Sequence, residues 1–343
     1  MSFERHNAER QGQLENVYEL NDVEHDLVSK YHPTFLAKGG EHIIYELPEH
    51  PHVVVKVRVD TLKKVMEWNI EHDAPVTSLS PEIASRAHQY LEREQKRYRQ
   101  LQKYFGSDHV PGQEEFLMKV PVTESLLREL YEGNPPALTG EAWSVVMIQK
   151  RVEALRDAER LALVAGYAEH GDVPEDVYDR VTKDLVFHEE TEHLVESNEF
   201  HQVQSHEDLQ RLVTRADTDS DLRDVLKEVV ARMIAYTEET GEILDLAGDD
   251  NLIIHRKDDA WTFTLVDALY PGEDKMMEKA RDALRTVSDG GEMDEEYRNI
   301  LLNALNYVRT VNGLAKQAGV EERIHLLPEG VGMEESHLLN LLR

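Results

Sequence analysis

The spacing of apolar positions changes character part of the way along the chain. From Phe35 the stretch "FLAKGGEHIIYELPEHPHVVVKVRV" reads as strand, glycine turn, strand, proline-containing turn and strand. Its last run, "HVVVKVRV", is β-branched and too short for a helix, which predicts a buried strand. Two further runs, "EEFLMKVPV" and "WSVVMIQKRV", predict two more strands. Between the strands, Pro81 to Phe105 has the pattern of one long charged helix, with Pro81 in its first turn. Residues 61–80 read as a mixed insertion. Residues 11–30 read as helical, with Asn21 or Asp22 capping a second short piece.

After Val152 the helical period takes over. "RVEALRDAERLALVAGYAEHG" predicts a helix stopping at Gly171, and Pro174 opens another. Ser205 and Asp208 have capping-box spacing, with Asp in place of Glu. Leu222, Val225, Leu226, Val229, Val230, Met233 and Ile234 form one apolar helix face that ends near Gly241. The helical pattern is then interrupted once, at "LDLAGDDNLIIHRKDDAWTFTLVDALYP", Leu244 to Pro271. Here "NLII" and "WTFTLV" flank a charged turn and predict a hairpin. Beyond Pro271 the pattern is helical to Arg343. The fold class expected is therefore α+β in two lobes. Residues 1–150 form a small β-sheet lobe with one long helix. Residues 151–343 form a larger helical lobe, with an insertion at 153–219 and the hairpin at 244–271.

Composition narrows the chemistry. The chain has 343 residues, 40% of them apolar, enough for sizeable cores. It contains no cysteine, which excludes disulfides, thiolate catalysis and Cys-based zinc sites. No apolar run approaches the ~20 residues of a membrane span, and the start is polar, so the expectation is a cytoplasmic protein without a membrane partner. The formal net charge of −30 repels phosphate backbones, so no nucleic-acid partner is expected, and the field favours cationic small molecules. His188, His193, His201 and His206 lie among many acids. The nearest approach to a zinc helix motif, His188 to His193, is spaced by five rather than four, so a solvated insertion is the better reading.

The hairpin carries candidate chemistry. Asp245 and Asn251 precede its first run and Asp267 closes its second, so pairing of the strands brings oxygen ligands together. One carboxylate and one amide suffice for Mg²⁺, which keeps part of its water shell.

In this order of elements the chain resembles the protein-kinase-like superfamily in its wide sense, including small-molecule kinases of the aminoglycoside phosphotransferase type. The resemblance covers roughly Phe35 to Pro271. "AKGGEHIIYE" is similar to a glycine-rich loop, Lys56 in "VVVKV" to the third-strand lysine of V-A-I-K, and Glu94 to the helix glutamate that pairs with it. "VVMIQKRV" resembles the strand entering the hinge, "LDLAGDDNLII" the catalytic loop and "TLVDALY" the D-F-G strand. The resemblance implies ATP and Mg²⁺ as cofactors. It implies Gly39, Gly40, Lys56, Glu94, Met147 and Gln149 around the nucleotide, in a cleft between the lobes. It further implies Asn251 and Asp267 on the metal, with Asp245 orienting the acceptor and Lys56 serving catalysis. Glu92 competes with Glu94 for its role, and Met147 fits a core equally well.

The departures from the family pattern are specific. Ala37 and His42 stand at the other glycine places. No His-Arg precedes Asp245, which lies six residues before Asn251 where the pattern has five, so Asp249 or Asp250 remains an alternative base. Asp267-Ala268-Leu269 replaces D-F-G, and "PGEDKMMEKARDAL" turns helical too soon for a peptide-docking activation segment. Two functions follow. One is an atypical ATP-dependent phosphotransferase acting on a small-molecule hydroxyl. The other is a pseudokinase that binds nucleotide or regulates without turnover.

Overall fold

A computed structural model of the chain describes residues 34–38, 42–75, 77–131, 136, 138, 140–152, 159–161, 212–246, 251–269, 275–288, 291 and 295–326. It is an α+β protein that divides into two compact units: Met1–Arg99 with Pro111–Glu153, and Gln100–Val110 with Ala154–Arg343. Among the described residues no helix is long and apolar enough to cross a membrane. The expected helix at 11–30, the glycines Gly39 and Gly40, the histidine-rich insertion, Asp249 and Asp250 lie outside the described residues.

The first unit is built on five antiparallel strands: β1 (Thr34–Lys38), β2 (His42–Glu46), β3 (Val53–Arg58), β4 (Gln113–Val122) and β5 (Gly140–Lys150). Their spatial order is β1-β2-β3-β5-β4, so β3 sits at the centre. The strand predicted through Val59 stops at Arg58. The stretch expected as an irregular insertion contains a helix, α1 (Val59–Glu71), which buries Leu62, Val65, Met66 and Asn69. That is one helical stripe, at steps of three, one and three. Lys63, Lys64 and Glu67 between the stripe positions hide it from a pass for apolar runs. The long helix α2 (Pro81–Phe105) is found at its expected bounds. Ser80 caps it, its hydroxyl accepting from the Ile83 amide at 3.2 Å, and Pro81 takes the first helical position, where a missing N–H costs nothing. A further helix not foreseen from the pattern, α3 (Glu124–Leu130), starts at the Thr123 cap.

Alternation along the strands gives the sheet two unlike faces. Val53, Val55 and Val57 join Ile43, Val146, Ile148 and the α1 stripe in a continuous apolar core. The opposite face carries Lys56 and Val145, and Ala87 and Leu91 of α2 pack on Val145.

In the second unit, α4 (Ser220–Thr240) buries Leu222, Leu226, Val229, Val230, Met233 and Ile234, with Val225 half-buried at its margin. Asp219 caps it, accepting from the Leu222 amide, and Gly241 closes it in the left-handed conformation. The hairpin is β7 (Leu252–Lys257) and β8 (Ala260–Leu265). Asp258 and Asp259 both take positive φ at its tip, which acidic side chains tolerate through local hydrogen bonding. A third strand, β6 (Glu159–Leu161), pairs with β7. At 159–161 it corrects the helical reading, since strand pairing to a distant hairpin overrides local helical propensity. Two helices follow, α5 (Met276–Ser288) and α6 (Glu295–Ala318). Over Val320–Leu326 the helical reading is also corrected, because α6 stops at Gly319 with φ +71° and these residues are irregular.

The segment Gln100–Val110 belongs with the second unit for a visible reason. The Tyr104 hydroxyl donates to Glu239 at 2.5 Å. Phe105 meets Phe263 edge-on, and the His109 ring stacks on Phe263 at 3.9 Å. The Leu265 amide then donates to the His109 carbonyl at 2.8 Å, so this loop borders β8.

Candidate functional site

Lys56 lies in the central strand and is only 4% exposed. Its register partners are Ile44 on β2 and Met147 on β5, and Met147 in turn faces Glu115 on β4. Directly opposed residues in antiparallel strands share a face. Ile44, Lys56, Met147 and Glu115 therefore form one row across the sheet, on the side that α2 covers. The next row in one direction holds Val54, Gln149 and Gln113, with the Gln149 amide donating to the Gln113 oxygen at 3.1 Å. In the other direction lies Arg58, its guanidinium 4.0 Å from the centre of the Tyr90 ring.

From α2, Glu94 reaches the same layer. It stands one turn after Leu91 and two after Ala87, the residues that pack on the sheet. Glu94 is 6% exposed, whereas Glu92 points to solvent, so the burial separates two acids that local sequence could not. The Glu94 carboxylate accepts from Arg97 Nη1 at 3.0 and 3.3 Å and from Arg93 Nε at 3.1 Å. Arg97 itself is 2% exposed. The result is a buried layer holding Lys56, Glu94, Arg97, Glu115 and Gln149, set against an opposite sheet face that is mainly apolar, with Ser144 as a buried polar residue bonded to the Arg58 carbonyl. Arg97 and Glu115 were not singled out from sequence. The signal that would have found them was available: Arg97 falls three residues after Glu94, and Glu115 lies on the same face of β4 as Leu117, which packs against α2.

The second unit assembles the other candidates. The Asp245 amide donates to the Ala268 carbonyl at 2.9 Å, and Leu244 bridges to Leu269. The Val266 amide donates to the Asn251 carbonyl at 3.0 Å. The Asn251 side-chain nitrogen donates to the Asp245 carbonyl at 3.1 Å. Asp245, Asn251 and Asp267 are thus brought to one end of the hairpin by four backbone-anchored links. Because the Asn251 nitrogen is engaged, its orientation is set and Oδ1 is the atom turned away from that bond. The Asp267 side chain is exposed, and those of Asp245 and Asn251 are half-buried. An amide oxygen and a carboxylate of this kind fit a hard cation that keeps waters. Among the described residues no group of three or more His, Asp or Glu is arranged to hold a metal. Glu242, buried between the Gly241 cap and Leu244, is a further acid near this end that the sequence pattern did not reveal.

Two other features concern the surroundings. His255 in β7 is buried, its Nε2 sharing a hydrogen bond with the Thr264 hydroxyl at 2.9 Å. Burial, with Lys257 and His109 adding to it, holds its pKa below the ordinary histidine value. A pocket of about 350 Å³ opens in the first unit between α1 and the start of α2, lined among others by Arg58, Asp60, Lys64, Trp68, Arg86 and Tyr90. Its cations are paired within the lining: Arg58 and Lys64 with Asp60, Arg86 with Glu82. Burial alone would raise the Asp60 carboxyl, but the Arg58 charge and hydrogen bond outweigh it and hold it below the usual value.

No family model, no curated protein and no solved structure matches the chain.

Proposed function

We propose that the protein is an atypical ATP-dependent phosphotransferase of two-lobed, kinase-like type, acting on the hydroxyl of a small polar or cationic molecule. The observation that carries the reading is the buried charged layer of the first unit. Replacing buried ion pairs by packed apolar residues is commonly neutral or stabilising, so stability alone gives no reason to retain Lys56, Glu94 and Arg97 there. The other face of the same sheet is mainly apolar, so the fold had that option. A lysine on the central strand with an acid from the covering helix is the pairing that phosphoryl transfer uses on the α- and β-phosphates.

In this reading Lys56 binds the phosphates and Glu94 holds Lys56. Gly39 and Gly40 belong to the loop over the nucleotide, and Met147 and Gln149 flank it from β5. Asn251 and Asp267 would hold Mg²⁺, which when bound neutralises charge on the phosphates. Asp245 orients the acceptor hydroxyl, and with both of its backbone groups bonded, its side chain is presented from a fixed backbone. Positioning is most of what the protein contributes to this chemistry. The acidic balance of the chain suits a cationic acceptor.

One observation favours the pseudokinase reading instead. The Glu94 carboxylate is already engaged by two arginines of its own helix, which suits a retained scaffold as well as a catalyst. Titration calorimetry with ATP, with and without Mg²⁺, followed by a phosphate-balance assay against hydroxylated amines, separates the two. Mg²⁺-dependent binding with transfer supports the enzyme, and binding without transfer or ATP hydrolysis supports the pseudokinase. Equal ATP affinity with and without Mg²⁺ refutes the metal assignment of Asn251 and Asp267.

A further inference from the structure

We infer that the cleft between α1 and the start of α2 is a binding site for a small uncharged polyhydroxylated molecule, a free sugar or a cyclic polyol. The inference goes beyond the phosphotransferase reading and does not rest on it. The cleft belongs wholly to the first unit and uses none of the residues assigned to nucleotide, metal or acceptor. Its volume of about 350 Å³ lies at the small end of the about 300–1,000 Å³ typical of ligand pockets, so it has room for one small molecule. The charges of its lining argue against an ion. Arg58, Lys64 and Arg86 oppose a cation, and Asp60, Glu67, Glu71 and Glu82 oppose an anion. Many of these charges are already matched: Asp60 holds Arg58 at 2.6 Å and Lys64 at 3.8 Å, and Glu82 holds Arg86 at 2.6 Å.

What the walls do offer is hydrogen-bonding capacity of both kinds beside an aromatic surface. Ser80 is 6% exposed, and its oxygen accepts from the Ile83 amide at 3.2 Å. Its hydroxyl proton has no acceptor among the described residues. A buried donor left in that state costs free energy that a ligand oxygen recovers. The three tryptophans make a similar contrast. The Trp143 indole N–H donates to the Thr77 carbonyl at 3.0 Å and that of Trp261 to Asp219 at 2.8 Å, whereas that of Trp68, in the cleft wall, has no acceptor among the described residues. One face of the Trp68 ring is stacked on His72, 4.5 Å between centroids, and no other ring covers the second face. Glu67 and Glu71, one turn apart on α1 and both exposed, bring acceptors with no hydrogen-bonded partner. A sugar ring uses all of these groups. Its C–H face carries slight positive charge and lies well on the negative face of an indole. Each hydroxyl at its edge both donates and accepts, so it can give to a carboxylate while taking from Ser80 and Trp68. An ammonium ligand would leave the donors unused, and a carboxylate ligand would leave the acceptors unused.

The test uses the full chain labelled with ¹⁵N-tryptophan, whose three indole signals report separately on Trp68, Trp143 and Trp261. The Trp68 signal is assigned by its loss in Trp68→Phe. Glucose, galactose and myo-inositol are titrated as the neutral probes, with putrescine and citrate as ionic probes at constant ionic strength. At least one neutral probe should move the Trp68 signal saturably and leave the other two in place. Saturation by a hexose marks a sugar site, and saturation by inositol alone marks a polyol site. Ser80→Asp keeps the helix cap but removes the hydroxyl donor, and should weaken the affinity about threefold or more. Glu71→Ala removes an exposed acceptor and should weaken it by a similar factor, so it carries the test if Ser80→Asp does not fold. No saturable Trp68 shift with any neutral probe overturns the inference. So does saturation by putrescine or citrate at lower concentration than any neutral probe, an equal shift of all three indoles, or an affinity unchanged in both variants.

Discussion

The energetics of the Glu94–Arg97 pair can be worked through in advance. Arg97→Met removes a guanidinium from a site where its side chain is 3% exposed and leaves the Glu94 side chain, 7% exposed, with Arg93 as its bonded cation. Two charge-assisted contacts go, each worth about 1.5–3 kcal/mol. A carboxylate stripped of its buried partner typically costs about 3–5 kcal/mol in all, and we expect the lower half of that range because Arg93 remains. In a unit of this size that is a fall of roughly 10 °C in Tm. Glu94→Met alone should cost a similar amount, since it strands Arg97. The double replacement Glu94→Met/Arg97→Met removes both charges, fills the volume with apolar groups and should lie within about 1 kcal/mol of wild type. The cycle then gives a coupling of about 5–9 kcal/mol, the sum of the two single losses less the small double one. Urea unfolding of the full chain by circular dichroism, with calorimetry to separate the transitions of the two units, measures it. A loss below about 1 kcal/mol in Arg97→Met would refute the buried pairing, and so would a double variant as unstable as the singles. If the double variant is as stable as wild type yet has lost MgATP binding, the charges are retained for function.

Other outcomes follow from the same structure. Gly241→Ala forces a side chain into φ +73° with its Cβ 2.9 Å from Glu278 Cγ, and should cost about 1–2 kcal/mol in thermal unfolding, with Glu278→Ala recovering the steric part. Because the folded pKa of His255 lies below its unfolded value of 6.5, the unfolded chain takes up the proton first as pH falls. The His255 contribution to stability is therefore complete above about pH 6.5 and declines below it until the folded pKa is passed, so His255→Gln should flatten the stability curve in that window. Tyr307→Phe removes the 3.0 Å bond to the Thr237 hydroxyl between α6 and α4, both groups being buried, and should cost about 1–3 kcal/mol with no change in MgATP affinity. Asp245→Ala should lower turnover far more than MgATP affinity, and full turnover in that variant would pass the role to Asp249 or Asp250.

Local pattern was enough for much of the scaffold. The five strands of the first sheet, the helix from Pro81 to Phe105, the Leu222–Ile234 face and the hairpin up to Asp267 are each encoded by periodicity and by stop signals inside the segment. Those signals survive in sequence because they depend on neighbours within a turn or two. The helix at Val59–Glu71 was legible in principle, but its charged residues masked the stripe. The strand Glu159–Leu161 was not legible, because its conformation is imposed by pairing with β7, some ninety residues later. Candidate chemistry divides in the same way. The pattern marked Asn251 and Asp267 from their places at the ends of the hairpin, and the resemblance to the kinase-like superfamily marked Lys56. Choosing Glu94 over Glu92 needed the side of α2 that meets the sheet. Finding Arg97 and Glu115 beside it needed the β3-β5-β4 register. The link between Asp245 and Ala268 needed the hairpin folded back on the end of α4. Periodicity assigns a residue to a face of its own element, but burial and pairing depend on which face of another element lies opposite. That is decided by contacts between residues far apart in the chain, and only the tertiary structure contains them.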